Sequence, residues 1–230
     1  MNARLYPASG PEVNDGEALV QIFEAAFLRG AEELSLTPAA RRVLATAAAL
    51  FFERGAVATS VRDLTAACGL TPGALYNHFA SKDDLLDTIV RFGHSRMRRR
   101  VDDALAACGP EPRARLEAFV GAYVAGHLDG AELAQVVRRE YLHLSPERRR
   151  AVVAERRRFR GVLEDILEAG QDVGAFEIIG GEVAGQAVMI LDLGSRTSEW
   201  FVARSDRDRS DLIERYVEAA RRLVGVRARD

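Results

Sequence analysis

The sequence predicts an all-α protein, and three observations carry that reading. Apolar residues recur at spacings of three and four along most of the chain, no stretch alternates convincingly with period two, and helix-start signals repeat. Thr37-Pro38 and Thr71-Pro72 each join a capping residue to proline at the first helical position. Ser60 with Asp63 and Ser81 with Asp84 have the spacing of a capping box, with Asp in place of Glu or Gln. About nine or ten helices follow, without internal repeats or low-complexity tracts.

Residues 1–36 open with a stretch containing Pro, Gly and Asn, expected as a mobile tail. They continue into a short amphipathic run, Ala18 to Leu28, that sets Leu19, Ile22, Phe23 and Phe27 on one face. The next helix starts after Thr37 and repeats Leu44, Ala47, Ala48 and Phe51 at helical spacing up to Gly55. A short helix from Val61 to Cys68 stops at Gly69, and another runs from Pro72 through Phe79. A longer one begins after Ser81 and carries Leu86, Val90, Met97, Val101 and Leu105 along one stripe. Beyond Gly109-Pro110, helices are expected at Arg113 to His127, Glu132 to Leu144, Pro146 to Gly170, Glu182 to Val202 and Ser210 to Val224. Arg204 to Arg209 alternates basic and acidic residues with no apolar member and reads as an exposed loop.

With 230 residues and 48% hydrophobic content the chain can build a core without staples. Its apolar stretches, such as Val43 to Phe52, are interrupted or too short to cross a bilayer, and the N-terminus lacks a basic-then-apolar pattern. A soluble cytoplasmic protein without a membrane partner is expected. Cys68 and Cys108 lie far apart, with no CxxC or Cys/His spacing, so neither a disulfide nor a metal site is expected. No glycine-rich phosphate loop and no Ser/His/Asp or Cys/His set is placed by a recognisable motif, which argues against an enzyme and against a cofactor.

The net charge of −2 conceals an uneven distribution. Residues 1–36 hold two Arg against six acids, whereas residues 37–100 hold nine Arg and one Lys against five acids, a net +5. That positive segment has the size of a small DNA-binding module. Within it, two short helices joined by a tight turn at Gly69-Leu70 and preceded by a longer helix have the spacing of a helix-turn-helix. Leu64, Leu70, Leu75 and Phe79 are the apolar residues expected to hold these helices against Phe51, while Arg62, Tyr76 and His78 have no evident core to join. At the start of the second helix Thr71, Gly73 and Ala74 are small enough to let backbone approach phosphates and base edges.

The run from Ala47 to Leu86, and above all Thr71-Pro72-Gly73-Ala74-Leu75-Tyr76-Asn77-His78-Phe79-Ala80-Ser81-Lys82, resembles the DNA-binding domain of the TetR family. The resemblance implies a recognition helix over the pattern Leu-Tyr-x-His-Phe-x-x-Lys. It implies phosphate contacts from Tyr76, His78 and Lys82, a backbone clamp at Thr71, and base-facing roles for Gly73, Ala74 and Asn77. Thr59, Ser60 and Arg62 would add contacts from the helix before. Arg98, Arg99 and Arg100 are left outside this set as a solvated helix face.

In that family the C-terminal half binds a ligand and dimerises through its last two long helices. Here Glu182 to Leu193 is almost wholly apolar apart from Gln186 and Asp192, and the final helix offers Ile213, Tyr216, Val217, Ala220 and Val224 at core spacing. Polar groups on otherwise apolar faces are the candidate ligand contacts: Tyr123 and His127 on one stripe, Arg156 in line with Val152, Phe159 and Leu163, and Arg196 with Trp200 four residues on. The arrangement Arg196-x-x-x-Trp200-Phe201, with Glu214-Arg215-Tyr216 beyond, resembles repressors of lipid and sterol catabolism in that family that respond to acyl-CoA thioesters. An arginine suits a CoA phosphate, and a tryptophan suits an apolar or ring contact.

These readings combine into three segments: an extension over 1–36, a three-helix helix-turn-helix domain over 37–84, and a helical ligand-binding and dimerisation domain over 85–230. The function expected is a homodimeric repressor of a palindromic double-stranded operator, released by a small amphipathic effector, for which an acyl-CoA is one candidate. A constitutive DNA-binding protein without an effector and an enzyme are the competing readings.

Overall fold

A computed structural model describes residues 16–29, 36–202 and 205–226, and every regular element among them is helical. The tail expected over residues 1–15 lies outside the described residues. The α-helices are α1 (Gly16–Leu28), α2 (Pro38–Arg54), α3 (Val61–Cys68), α4 (Pro72–Tyr76), α5 (Lys82–Ala107), α6 (Pro112–Leu128), α7 (Ala131–Glu140), α8 (Pro146–Asp172), α9 (Val183–Ser195), α10 (Thr197–Trp200) and α11 (Asp206–Leu223). Single 3-10 turns occur at Tyr141–His143 and Ile179–Gly181. Among the described residues no helix is long and apolar enough to cross a membrane. The chain divides into two units, one of described residues 16–96 and 130–154, the other of 97–129 and 155–226.

In the first unit α2 is the central element. Thr37 caps it by accepting from the Ala40 amide at 3.2 Å, and Pro38 occupies the first turn, where a missing N–H costs nothing. The stripe read from the sequence widens here, because every residue from Val43 to Phe51 is buried. Such a helix has to be covered on all sides, and α1 lies along it. Leu19, Phe23 and Phe27 of α1 are buried, with Phe23 6.4 Å from Phe52 and Phe27 4.9 Å from Phe92 between ring centres. Each fully buried phenylalanine contributes about 2–3 kcal/mol of transfer free energy. Ile22, expected on the same face, is instead 37% exposed. Arg148, near the start of α8, bridges the acidic first turns of α5, with nitrogens 3.3, 2.8 and 3.0 Å from Asp83, Asp84 and Asp87. Burial nevertheless pushes the Asp87 carboxyl above its ordinary value, against the opposing pull of Arg148.

The second unit is built around α6, whose Leu116, Phe119, Val120 and Val124 meet Leu163, Ile166 and Leu167 of α8, Ala187 and Ile190 of α9, and Ala220 of α11. Its centre is aromatic. Phe119 lies 5.4 Å and Tyr123 5.7 Å from the ring of Phe159.

Four boundaries differ from the sequence reading, one being that the helix expected from Glu132 to Leu144 gives way after Glu140 to a 3-10 turn. The second helix of the helix-turn-helix ends at Tyr76, not Phe79, with Asn77 as its cap and Phe79 buried in the turn that follows. The helix expected from Glu182 to Val202 divides at Arg196 into α9 and the single turn α10. The loop expected through Arg209 is already helical from Asp206. Ser205 accepts from the Asp208 amide at 3.1 Å, and Asp206 and Asp208 lie in the first turn, where carboxylates favour the helix dipole.

Candidate nucleic-acid interface

The interface begins at the C-terminus of α2. Gly55 takes φ 82° and ψ 153°, a backbone that a side chain would strain, and its amide donates to the Phe51 carbonyl at 3.0 Å. Five residues later Ser60 opens α3 with a complete capping box. Its hydroxyl accepts from the Asp63 amide at 3.1 Å and donates to the Asp63 carboxylate at 2.6 Å, and its own amide donates to that carboxylate at 2.8 Å. The Ser60 hydroxyl and amide bonds hold the Asp63 carboxyl below its ordinary value. Gly69 closes α3 in the left-handed region, and the Leu70 amide returns to the Thr65 carbonyl at 2.9 Å. Thr71 then caps α4 by accepting from the Ala74 amide at 3.2 Å.

Two faces result. Leu64, Leu75 and Phe79 are buried with Phe51 in one cluster, and Leu70 packs half-buried against it. On the opposite side Ser60, Arg62, Thr71, Gly73, Tyr76 and Asn77 are exposed, with Ala74 and His78 half-exposed. Tyr76 leaves 49% of its surface open. Gly73 has no left-handed backbone to justify it, and a Cβ built there meets nothing within 4 Å.

Two residues of the expected set are placed differently. The Thr59 side chain is fully buried and its hydroxyl donates to the Gly55 carbonyl at 2.9 Å, so it fastens the turn and does not face solvent. The Lys82 ammonium donates to the carbonyls of Ala56 and Thr59 at 2.7 and 2.9 Å, which uses two of its three protons. Of the basic run outside the set, Arg98 pairs with Asp102 at 2.8 Å and Arg100 with Asp129 at 2.6 Å, and both are half-buried while Arg99 is exposed.

The five candidate ligand contacts all fall in the second unit. Tyr123 and His127 are buried, with ring centres 4.7 Å apart, and the Tyr123 hydroxyl donates to the Leu191 carbonyl at 3.3 Å. Burial pushes the Tyr123 hydroxyl well above the usual phenol range, and the Arg156 charge opposes this in part. Arg156 itself is exposed, although Val152 and Leu163 on the same stripe are buried. Its long stem lets the guanidinium reach water. Arg196 sits at the break between α9 and α10 and pairs with Asp192 at 3.5 Å and Glu199 at 3.8 Å. Trp200 ends α10 with its ring 5.8 Å from that of Phe201.

Two further buried polar groups lie outside the expected site residues. Gln186 of α9 is 2% exposed, and its Nε2 has no hydrogen-bond partner among the described residues. Glu140 of α7 is 6% exposed and accepts from the Ala56 amide at 2.8 Å. The only sequence signal for Glu140 is its place on the stripe of Leu133, Val136 and Val137, at i, i+3, i+4 and i+7.

A paired short-helix motif with a buried apolar side and an open polar side defines a helix-turn-helix DNA-binding protein. Comparison with known proteins gives the family. Residues 43–89 match the model of bacterial regulatory proteins of the tetR family, and residues 109–224 match the tetracyclin repressor-like C-terminal domain. The chain belongs to the TetR family. It is 37% identical over 143 residues to the HTH-type transcriptional repressor KstR2 of Rhodococcus jostii, a match covering 58% of this chain and 66% of that protein, just under two thirds. A bacterial regulatory protein in the tetR family from Rhodococcus RHA1 superposes with a TM-score of 0.75 at 34% identity, covering 84% of this chain and all of the other. AibR, solved in complex with isovaleryl coenzyme A and operator DNA, shares the fold with a TM-score of 0.69 at 22% identity, over 82% of this chain and 100% of that one.

Proposed function

We propose that the protein is a homodimeric, effector-responsive transcriptional repressor, acting in the cytoplasm, that binds an inverted-repeat operator through α3 and α4. The observation that carries this reading is the open polar row of Arg62, Thr71, Gly73, Tyr76 and Asn77, set opposite Leu64, Leu75 and Phe79 in the core. On this reading α4 lies in the major groove, Tyr76, His78 and the remaining Lys82 proton meet phosphates, and Gly73, Ala74 and Asn77 face bases. Thr71, Ser60 and Arg62 flank them, and Thr59 acts through the turn it fastens.

Dimerisation is supported by α9, where Val188, Met189 and Leu193 are each about half exposed in the single chain. A second copy that buries this apolar row with its own is the arrangement a two-fold operator asks for.

The effector we propose is an amphipathic carboxylate or acyl-CoA thioester taken up by the second unit. The aromatic cluster of Phe119, Tyr123 and Phe159 supplies apolar contacts, Arg156 and Arg196 supply charge, and the buried Gln186 amide is a donor in need of an acceptor. The fold itself holds a CoA thioester and an operator together in AibR. Release of DNA requires the effector to prefer the non-binding conformation. Reversing a 99:1 population needs a preference of about 5.5 kcal/mol, more than one charge-assisted contact supplies, so several of these groups have to act together. Titrating acyl-CoAs of different chain and ring size against labelled operator tests the assignment. Dissociation by one thioester class, weakened in Arg196→Ala and Trp200→Ala, is expected. If no thioester releases the wild-type protein, or if both variants respond as it does, the acyl-CoA assignment is wrong.

A further inference from the structure

The turn that joins α2 to α3, residues 55–60, is held by local bonds and by two side chains from elsewhere in the chain, Lys82 and Glu140. Its Gly55 carbonyl takes the Thr59 hydroxyl at 2.9 Å. The carbonyls of Ala56 and Thr59 take the Lys82 ammonium at 2.7 and 2.9 Å. The Ala56 amide donates to the Glu140 carboxylate at 2.8 Å, in a buried setting 84 residues distant in sequence. The peptide between Gly55 and Ala56 is therefore gripped at both ends, by a hydroxyl at its oxygen and a carboxylate at its nitrogen. Beside Glu140, Arg139 sets its guanidinium 5.4 Å from the centre of the Phe52 ring, so the last turn of α7 clasps the last turn of α2.

This turn sets the position of Ser60, the cap of α3, and of Lys82, which by the reading above reaches a phosphate. A buried amide that loses its acceptor does not stay where it was, because its desolvation is then uncompensated. Glu140 has no route to DNA of its own, being 6% exposed and an anion. We propose that Glu140 is a positioning residue for operator binding, holding α3 and Lys82 in the geometry that fits DNA by accepting the Ala56 amide. The inference rests on the DNA-binding reading of α3 and α4.

The sign of the effect separates positioning from plain electrostatics. Removing an anion from a DNA-binding unit, by charge alone, tightens binding. Losing the acceptor loosens it. The test uses a duplex that the full-length wild-type protein selects from a random-sequence pool, with affinity read by fluorescence anisotropy at several salt concentrations and folding checked by thermal unfolding. Glu140→Asp keeps the charge but is a methylene too short, and is expected to lose about tenfold or more in affinity, with a flatter salt dependence as Lys82 withdraws. Glu140→Gln loses the charge but keeps an acceptor of full reach, and is expected to bind as well as wild type or better. Glu140→Ala is expected to fall with Asp, and if it does not fold the Asp and Gln pair still decides. Wild-type affinity in Glu140→Asp, or a loss in Glu140→Gln as large as in Asp, overturns the proposal while leaving the DNA-binding reading intact. A wild-type protein that selects no duplex overturns both.

Discussion

Replacing Gly73 by alanine sets folding and function against each other. In the chain alone the substitution is favourable, since Gly73 lies within α4, has no left-handed φ, and a Cβ there meets nothing within 4 Å. Alanine is preferred over glycine in a helix interior by up to about 1 kcal/mol. For a chain of 230 residues that raises Tm by about 2–4 °C. With α4 in the major groove, as proposed, the same methyl would stand between the helix and the bases. Loss of about 1.4 kcal/mol of close backbone contact is tenfold in affinity, and a helix pushed outward loses more than one contact. Thermal unfolding by circular dichroism and operator titration on one preparation give both numbers. The expected pair is a higher Tm with at least tenfold weaker binding. A variant that is more stable and binds as tightly as wild type shows that Gly73 faces solvent in the complex, and the placement of α4 is then wrong.

Tyr76→Ala and Lys82→Met are each expected to weaken binding to every sequence and to flatten the salt dependence of log K by about one, whereas Asn77→Ala redistributes base preference in a selection experiment. Val188→Asp is expected to give a folded monomer by light scattering, because this side chain is 47% exposed in the single chain. Ala187, also on α9, is fully buried, so Ala187→Glu tests folding and not association. Gln186→Leu removes a buried donor without a partner among the described residues and is expected to raise stability by about 1 kcal/mol in thermal unfolding, while weakening the effector response of operator complexes. The capping box makes α3 acid-sensitive in a defined direction. With its folded pKa held below the ordinary value, Asp63 contributes stability present above that value and lost as pH falls through the lower one. Wild type is therefore expected to lose more stability than Asp63→Asn between about pH 5 and pH 3.

Local chemistry was legible in the sequence. Thr37, Ser60 and Thr71 each cap the helix expected of them, because a cap and the amide it serves are three residues apart. The buried side of the helix-turn-helix was legible for the same reason, through Leu64, Leu75 and Phe79. What escaped depends on partners remote in sequence. Nothing around Glu140 points to Ala56, and nothing around Lys82 says that its ammonium is spent on two carbonyls. Thr59 has the residue type of a phosphate contact but is enclosed by the turn it closes. Arg156 is exposed on a stripe whose Val152 and Leu163 are buried, because helical spacing gives a side chain its face but not where its charged end comes to rest. The break at Arg196 comes directly after Gly194-Ser195, a pair that commonly kinks a helix and that the sequence reading passed over.

The central claim, that α3 and α4 read operator DNA as a symmetric pair, is tested most directly by the sequences the purified protein retains from a random duplex pool at physiological salt. The account predicts an inverted repeat with half-sites about 34 Å apart or a multiple of it, bound at least about a thousandfold more tightly than a scrambled duplex. Equal affinity for the selected and the scrambled duplex would contradict it.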